Sequence, residues 1–256
     1  MRKTTILLVF IFLLTAFYFH MRANSALLSY LTVRVAKLME APKLMVMRRE
    51  PKPEIYAGRI GEEIIYDIKY KGIHIGTSRF NYVNKSSIDG KAVNVITFKT
   101  GVPRFRDLET IYSDPVTNLP LRIERDINKW PFKEKIIEAY DQKNFTVDIT
   151  KDDGSKNKIT RDGPIHNAIL LPYFIRHVDN LEPGWFMTAT FPTQQFLVTL
   201  VSVDDLETPA GIFKAYHFKS DPEKFEIWIT ADKRRIPVKI QGLGIFGYTM
   251  LMKEYK

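Results

Sequence analysis

Cysteine is absent from the 256-residue chain, and that removes several chemistries at once. No disulfide framework, thiolate metal site or thiol nucleophile can be built, and no lipid can be attached through an N-terminal cysteine. The compartment stays open on this ground alone, because export permits disulfides without requiring them. Metal-ligand spacing is missing too. The five histidines, His20, His74, His166, His177 and His217, include no His-x-x-x-His pair. His166 and His177 are too far apart along one helix to share an ion. No Gly-x-Ser-x-Gly elbow occurs, and Gly242-Leu243-Gly244 lacks the following helix that a phosphate-cradling loop needs. Of the adjacent carboxylates, Asp152-Asp153 sits in a glycine turn and Asp204-Asp205 at a strand end, where Asp serves the backbone; Glu62-Glu63 is the third pair. The sequence predicts a protein that is not an enzyme and needs no cofactor or metal.

Acidic residues are scarce at one end of the chain. The formal charge is +9. Residues 1–25 hold Arg2, Lys3 and Arg22 without an acid, and residues 26–59 hold seven basic residues against Glu40, Glu50 and Glu54. These stretches carry +3 and +4, which leaves only +2 for everything after them. A basic excess confined to the leading segment suits anionic lipid better than a DNA-reading face, so no nucleic-acid partner is expected. Hydrophobic residues make up 45% and aromatics 12% of the chain, which excludes a disordered chain and is enough for one substantial core.

Arg2-Lys3 precedes the apolar run Ile6–Phe19, a basic head before an apolar stretch at the very N-terminus. This is the pattern of an export signal or signal anchor, and it predicts a periplasmic or cell-envelope location, with contact to the inner membrane if the segment is retained. Ala23-Asn24-Ser25 offers a small-x-small cleavage site, whereas Phe17, Tyr18, Phe19 and Arg22 argue against cutting there; both outcomes stay open. Leu27, Leu31, Val35 and Leu38 then form an amphipathic helical stripe, suited either to packing on a domain or to lying on a membrane surface. Pro42, Pro51 and Pro53 punctuate a basic linker ending near Gly58.

From Gly61 onward the dominant period is two, as in Ile64, Tyr66, Ile68 and Tyr70. Further strands are predicted near Thr77–Val83, Ala92–Lys99, Leu108–Ser113, Leu119–Ile127, Lys133–Tyr140, Phe145–Thr150 and Asn157–Arg161. Later ones fall near Trp185–Phe191, Phe196–Val203, Phe213–Phe218, Glu223–Thr230, Pro237–Gln241 and Phe246–Glu254. Asp89-Gly90, Asp153-Gly154 and Ala210-Gly211 supply turns. One interior helix is expected over Ile165–Val178, with Asp162 as N-cap and Pro164 in the first turn, and Pro172 as a point where it kinks or divides. The predicted fold is mainly β: a curved antiparallel sheet or partly closed barrel over residues 60–256, with one covering helix, behind an export segment (1–25) and an amphipathic helix and linker (26–59).

Two segments resemble each other. Ile111-Tyr112 runs through Asp114-Pro115 to Leu119-Pro120-Leu121-Arg122-Ile123, and Ile227-Trp228 runs through Ala231-Asp232 to Ile236-Pro237-Val238-Lys239-Ile240. Each is a strand, a polar turn and an apolar-Pro-apolar-basic-Ile return, which reflects either a duplication or a shared turn requirement. These residues also carry a family resemblance. Gly61-Glu62 with Ile64 and Tyr66, Gly72-Ile73 and Gly76, the two segments just quoted, and Thr208-Pro209-Ala210-Gly211-Ile212-Phe213 resemble the bacterial domain of unknown function 3108 family over about residues 60–256. The resemblance implies an exported bacterial protein with no assigned reaction. The hairpins are also similar to those of the lipoprotein carriers of the Lol pathway, whose curved sheet wraps an apolar cavity closed by helices; that likeness is one of fold and transfers no function.

Two groups stand out as candidate ligand contacts. Arg104-Phe105-Arg106 precedes a strand, and Lys129-Trp130-Pro131-Phe132-Lys133 reads as a hairpin connection. Aromatics flanked by cations at loop tips suit a lipid headgroup region or an anionic glycan; the alternative is that Trp130 and Phe132 fold back onto the core. Tyr173 and Phe174 lie in a helix that is apolar on nearly every face, which suits a plug or lid. The expected function is non-enzymatic binding of an apolar or amphiphilic ligand, a lipid or lipoprotein, in the envelope. The alternative is a membrane-anchored scaffold or interaction module.

Overall fold

The computed structural model describes residues 60–244 and 247–256. The predicted export segment and amphipathic helix lie outside the described residues, as does Phe246. Fourteen strands form: β1 (Glu63–Tyr70), β2 (Ile73–Ile88), β3 (Lys91–Val102), β4 (Phe105–Ser113), β5 (Pro120–Lys129), β6 (Phe132–Asp141), β7 (Thr146–Lys151), β8 (Lys156–Thr160), β9 (Phe186–Thr190), β10 (Gln195–Thr208), β11 (Gly211–Asp221), β12 (Phe225–Thr230), β13 (Pro237–Gly242) and β14 (Tyr248–Tyr255). They build one antiparallel sheet in the order β8-β7-β6-β5-β4-β3-β2-β1-β14-β13-β12-β11-β10-β9. Every strand pairs with its sequence neighbour, except that β1 and β14 pair with each other and the sheet is left open between β8 and β9. The chain crosses that gap through α1 (Leu171–Ile175). The mainly antiparallel expectation holds, and the sheet is not a closed barrel.

Cross-strand register, not composition alone, decides which side chains face inward. Ile64, Phe80, Phe98, Glu109, Arg125, Ile136 and Lys151 are successive partners across seven strands and so share one face. On that face Ile64, Tyr66, Phe80, Ile96, Ile111, Ile123 and Ile136 are buried in one cluster. Phe196, Val198, Leu200, Phe218, Ile227 and Ile229 form a second. The short α1 segment feeds both: Leu170 and Tyr173 join the first, Leu171 and Ile175 the second. Each such burial stabilises by roughly 1.5–3 kcal/mol.

The helix is much shorter than Ile165–Val178. Ile165 pairs with Thr190 instead, and the Asn167 side chain accepts hydrogen bonds from the backbone of Ile169 and Leu170, at 2.8 and 3.2 Å. Asn167, not Asp162, thus turns the chain into α1. Pro172 is tolerated only in the first turn, since it lacks the amide that a longer helix would require. Several strands instead outrun their predicted ends. The Asn84–Ile88 stretch of β2 has no apolar alternation and is carried by its pairing with β3 across the Asp89-Gly90 turn, where both residues have positive φ.

The two similar segments adopt similar structures. In the β4–β5 hairpin Asp114 accepts bonds from the backbone of Val116 and Thr117, and Asn118 takes φ 55°. In the β12–β13 hairpin Asp232 accepts from Arg234 and Arg235, and Arg235 takes φ 48°. A register shift precedes each turn. Both tips grip α1: Asn118 bonds the His177 ring, and the Arg235 guanidinium donates to the carbonyls of Arg176 and Val178.

Close backbone approach at Gly76 yields a first prediction. A Cβ there would stand 2.1 Å from the Gly101 carbonyl oxygen and 2.8 Å from Val102 Cγ1. Gly76→Ala is expected to destabilise the domain by about 2 kcal/mol or more, read as a lower midpoint in urea unfolding; an unchanged midpoint would mean β2 and β3 separate freely here.

Candidate functional site

Two adjacent hairpin tips form a lip at the end of the sheet opposite α1. The β3–β4 tip carries Arg104, and the β5–β6 tip carries Trp130 and Pro131. The Trp130 amide donates to the Arg104 carbonyl at 3.1 Å, and the Arg104 guanidinium lies 5.3 Å from the Trp130 ring centroid. The last rung of the inner face is Val102, Phe105, Lys129 and Phe132, and the last rung of the outer face is Gly101, Arg106, Asn128 and Lys133. The lip is therefore amphipathic across its thickness, largely apolar inside and cationic outside. Trp130 and Phe132 do not fold back: they are 65% and 70% exposed. Ile73, on the neighbouring β1–β2 tip, is exposed as well. Burial pulls the Lys129 ammonium pKa below its ordinary value, partly opposed by Glu134.

Beneath the lip the inner face turns polar. Asp107 and Glu109 on β4, Arg125 on β5, and Glu138 and Tyr140 on β6 lie together. Arg125 bonds Asp107 and stands 3.6 Å from Glu109, and the Tyr140 hydroxyl donates to Glu138 at 2.5 Å. Desolvation pushes the Glu109 carboxyl up to about 7, with Asp107 and Glu138 adding to the rise and Arg125 opposing it. Burial disfavours the Arg125 charge, yet Glu109 and Asp107 outweigh it and hold the guanidinium protonated. Burial likewise raises Tyr140 and Tyr248.

Of the residues expected to bind a ligand, Arg104, Phe105, Trp130 and Phe132 come together at the lip, whereas Tyr173 and Phe174 sit at the other end. Tyr173 is core. Its ring stacks on Phe80 at 4.1 Å with the Arg176 guanidinium 4.3 Å from its centroid. Phe174 is half-buried, edge-on to His166 at 5.3 Å. Burial lowers the His166 pKa to about 4, so the ring is neutral and its Nδ1 accepts from the Thr190 amide at 3.2 Å. Sequence reading missed the Asp107–Glu109–Arg125–Glu138 cluster. Period-two spacing of charged residues in β4 to β6 was its only signal, and a solvated outer face gives the same spacing.

A third grouping has the residue types of an acyl-transfer site without its geometry. His217 Nε2 is 2.8 Å from Glu226 and its Nδ1 3.5 Å from the Ser202 hydroxyl. That hydroxyl donates to Asp204 at 2.5 Å, so its proton is directed away from the imidazole. The ring is instead stacked on Trp228 at 4.1 Å, with Lys239 Nζ 3.8 Å from the Trp228 centroid. Among the described residues, no group of three or more His, Asp or Glu side chains is arranged to hold a metal ion, and no helix is long and apolar enough to cross a membrane.

The family model described as a protein of unknown function, DUF3108, matches residues 65–253, which takes in the lip, the polar cluster and α1. The chain belongs to the DUF3108 family. No curated protein matches it. Among solved structures, a β-barrel-like protein of domain of unknown function DUF1849 from Brucella abortus is similar at 10% identity and a TM-score of 0.49, over 77% of this chain and 97% of that one. A candidate exported protein with a YmcC-like fold from Bacteroides fragilis has 8% identity, a TM-score of 0.28, and coverage of 77% and 96%. A candidate lipoprotein from Parabacteroides distasonis has 9% identity, a TM-score of 0.27, and coverage of 77% and 95%.

Proposed function

We propose that this DUF3108 domain is a non-enzymatic cell-envelope protein that engages a lipid or other amphiphile through the β3–β4 and β5–β6 lip. The observation that carries the reading is the exposure of Trp130 and Phe132 on tips held together by backbone and cation–π contacts and bordered by Arg104, Arg106, Lys129 and Lys133. Exposed aromatics in a cationic collar match the chemistry of a bilayer interface, where the rings sit among headgroups and the cations meet phosphate. The lip is pre-organised, so little conformational entropy is lost on contact. The chain enters the sheet at the far end of β1, where Glu63 bonds Lys256; through Asn81 it is level with Thr97 of β3, about 17 Å along the strands from Val102 at the lip at about 3.3 Å per residue.

Vesicle flotation of residues 58–256 tests this reading. Wild type is expected to float with vesicles containing anionic phospholipid, and Trp130→Ser with Phe132→Ser to lose at least about tenfold in apparent affinity, since each aromatic buries roughly 1.5–3 kcal/mol of apolar contact. Wild type that stays at the bottom of the gradient would sink the proposal. The packed core around Tyr173 favours the second reading, an interaction module, in which the lip meets a protein. In that case the same double variant would abolish cross-linking to an envelope partner while flotation stayed absent.

A further inference from the structure

Resting on that lipid reading, we infer that the outer side of the lip is a subsite for the phosphate of an anionic phospholipid headgroup. A shallow cleft of about 250 Å³ opens there, lined by Val102, Arg104, Phe105, Arg106, Asn128 and Trp130. Register fixes its chemistry. Arg106 and Asn128 of the lining are cross-strand partners, and Lys133, just outside the lining, is the next partner on the same rung, so Asn128 lies between two cationic residues. Arg104, held over Trp130, lines the same cleft. No carboxylate lines the cleft. The next rung of the same face is Leu108, Asp126 and Lys135, where the one acid already faces a lysine across the strand.

A guanidinium fork matches phosphate geometry, and the neutral amide adds a donor without adding charge. Val102 and Phe105 give the cleft apolar lining, and these two also belong to the inner rung. A phosphate on the outer rung therefore leaves the glycerol and acyl root beside Phe105 and Phe132, which a free anion would not use. The lip is built for a headgroup with its lipid attached.

The test uses the full chain added to phosphatidylcholine vesicles in which a minor fraction of lipid is either brominated phosphatidylglycerol or brominated phosphatidylcholine. The readout is quenching of Trp130, taken as the difference between wild type and Trp130→Phe. Phosphatidylglycerol is expected to quench about threefold more than phosphatidylcholine, as attraction of a few lip cations to an anionic lipid requires. Arg106→Gln with Lys133→Gln, both on the outer face, should equalise the two while quenching persists. Equal quenching in wild type, or a preference that survives the double substitution, overturns the subsite and leaves the lip reading intact. No quenching by either lipid overturns both. Replacing chloride by inorganic phosphate at constant ionic strength should leave the preference unchanged; its loss would make free phosphate the ligand and overturn the lipid assignment.

Discussion

Replacing Glu62 by Gln is expected to destabilise the domain by about 3–5 kcal/mol, the cost of stranding one member of a buried ion pair. Arg176 and Glu62 are only 2% and 5% exposed. Both guanidinium nitrogens Nη1 and Nη2 donate to the carboxylate, at 2.9 and 2.8 Å, and Nε donates to the Arg235 carbonyl at 2.6 Å. A Gln side chain at this position would offer one acceptor and turn two N–H donors toward a buried cation. Arg176→Met should cost a similar amount, since it leaves the carboxylate and the Arg235 carbonyl without their donor. The informative result is the double variant. With Glu62→Gln and Arg176→Met together neither position of the pair carries a charge, and the loss is expected to fall well short of the sum of the two single losses. Urea unfolding of the three variants measures this; additive losses would show that the two groups stabilise the domain independently of each other.

The size of that effect follows from how α1 is held. Five residues make too little helix to be stable alone, so the segment depends on what its side chains reach. Arg176 ties it to the start of β1, Asn118 and Arg235 tie it to the two similar hairpins, and Tyr173 is clamped between Phe80 and the Arg176 guanidinium. Since α1 spans the gap between β8 and β9 and feeds both core clusters, releasing it exposes apolar surface on both sides. About a fifth or more of the 5–15 kcal/mol typical of a domain is at stake.

Strands were legible because a half-buried sheet writes its period into the residues, and Ile64, Tyr66 and Ile68 do so openly. The turn-bearing pair of hairpins was legible for a similar reason: Asp114 and Asp232 serve the backbone locally, and the following Pro120 and Pro237 open returning strands. The helix was overextended because the apolar content of Ile165–Ile175 is real while its cause is tertiary. Ile165 is buried beside Thr190 in a bridge that no local pattern announces. The lip was visible as aromatic and basic residues at a hairpin connection, yet their exposure could not be read, since core and surface placements need the same residues. The Glu62–Arg176 pair joins residues 114 positions apart, and the charged cluster on β4 to β6 depends on a register that only the assembled sheet supplies.

That cluster gives the domain a pH dependence whose sign can be fixed. Glu109, with a side chain 14% exposed, carries a carboxyl raised from the ordinary 4.5 to about 7 by burial, with Asp107 and Glu138 contributing in the same direction and Arg125 against them. In the unfolded chain this group loses its proton near 4.5, whereas the folded domain keeps it until about 7. Between those values the native state binds more protons, so stability falls as pH rises through the window and levels off above it. Glu109→Gln keeps an acceptor for Arg125 and removes the charge. It should abolish this component of the slope and make the domain more stable at pH 8 by about 1–3 kcal/mol. Asp107→Asn removes one of the two repelling carboxylates, and should move the midpoint of the Glu109 transition to lower pH. Urea midpoints measured from pH 4.5 to 8.5 on the three proteins decide the matter. A slope in this window that survives Glu109→Gln unchanged would assign it to another group and overturn the raised Glu109 carboxyl.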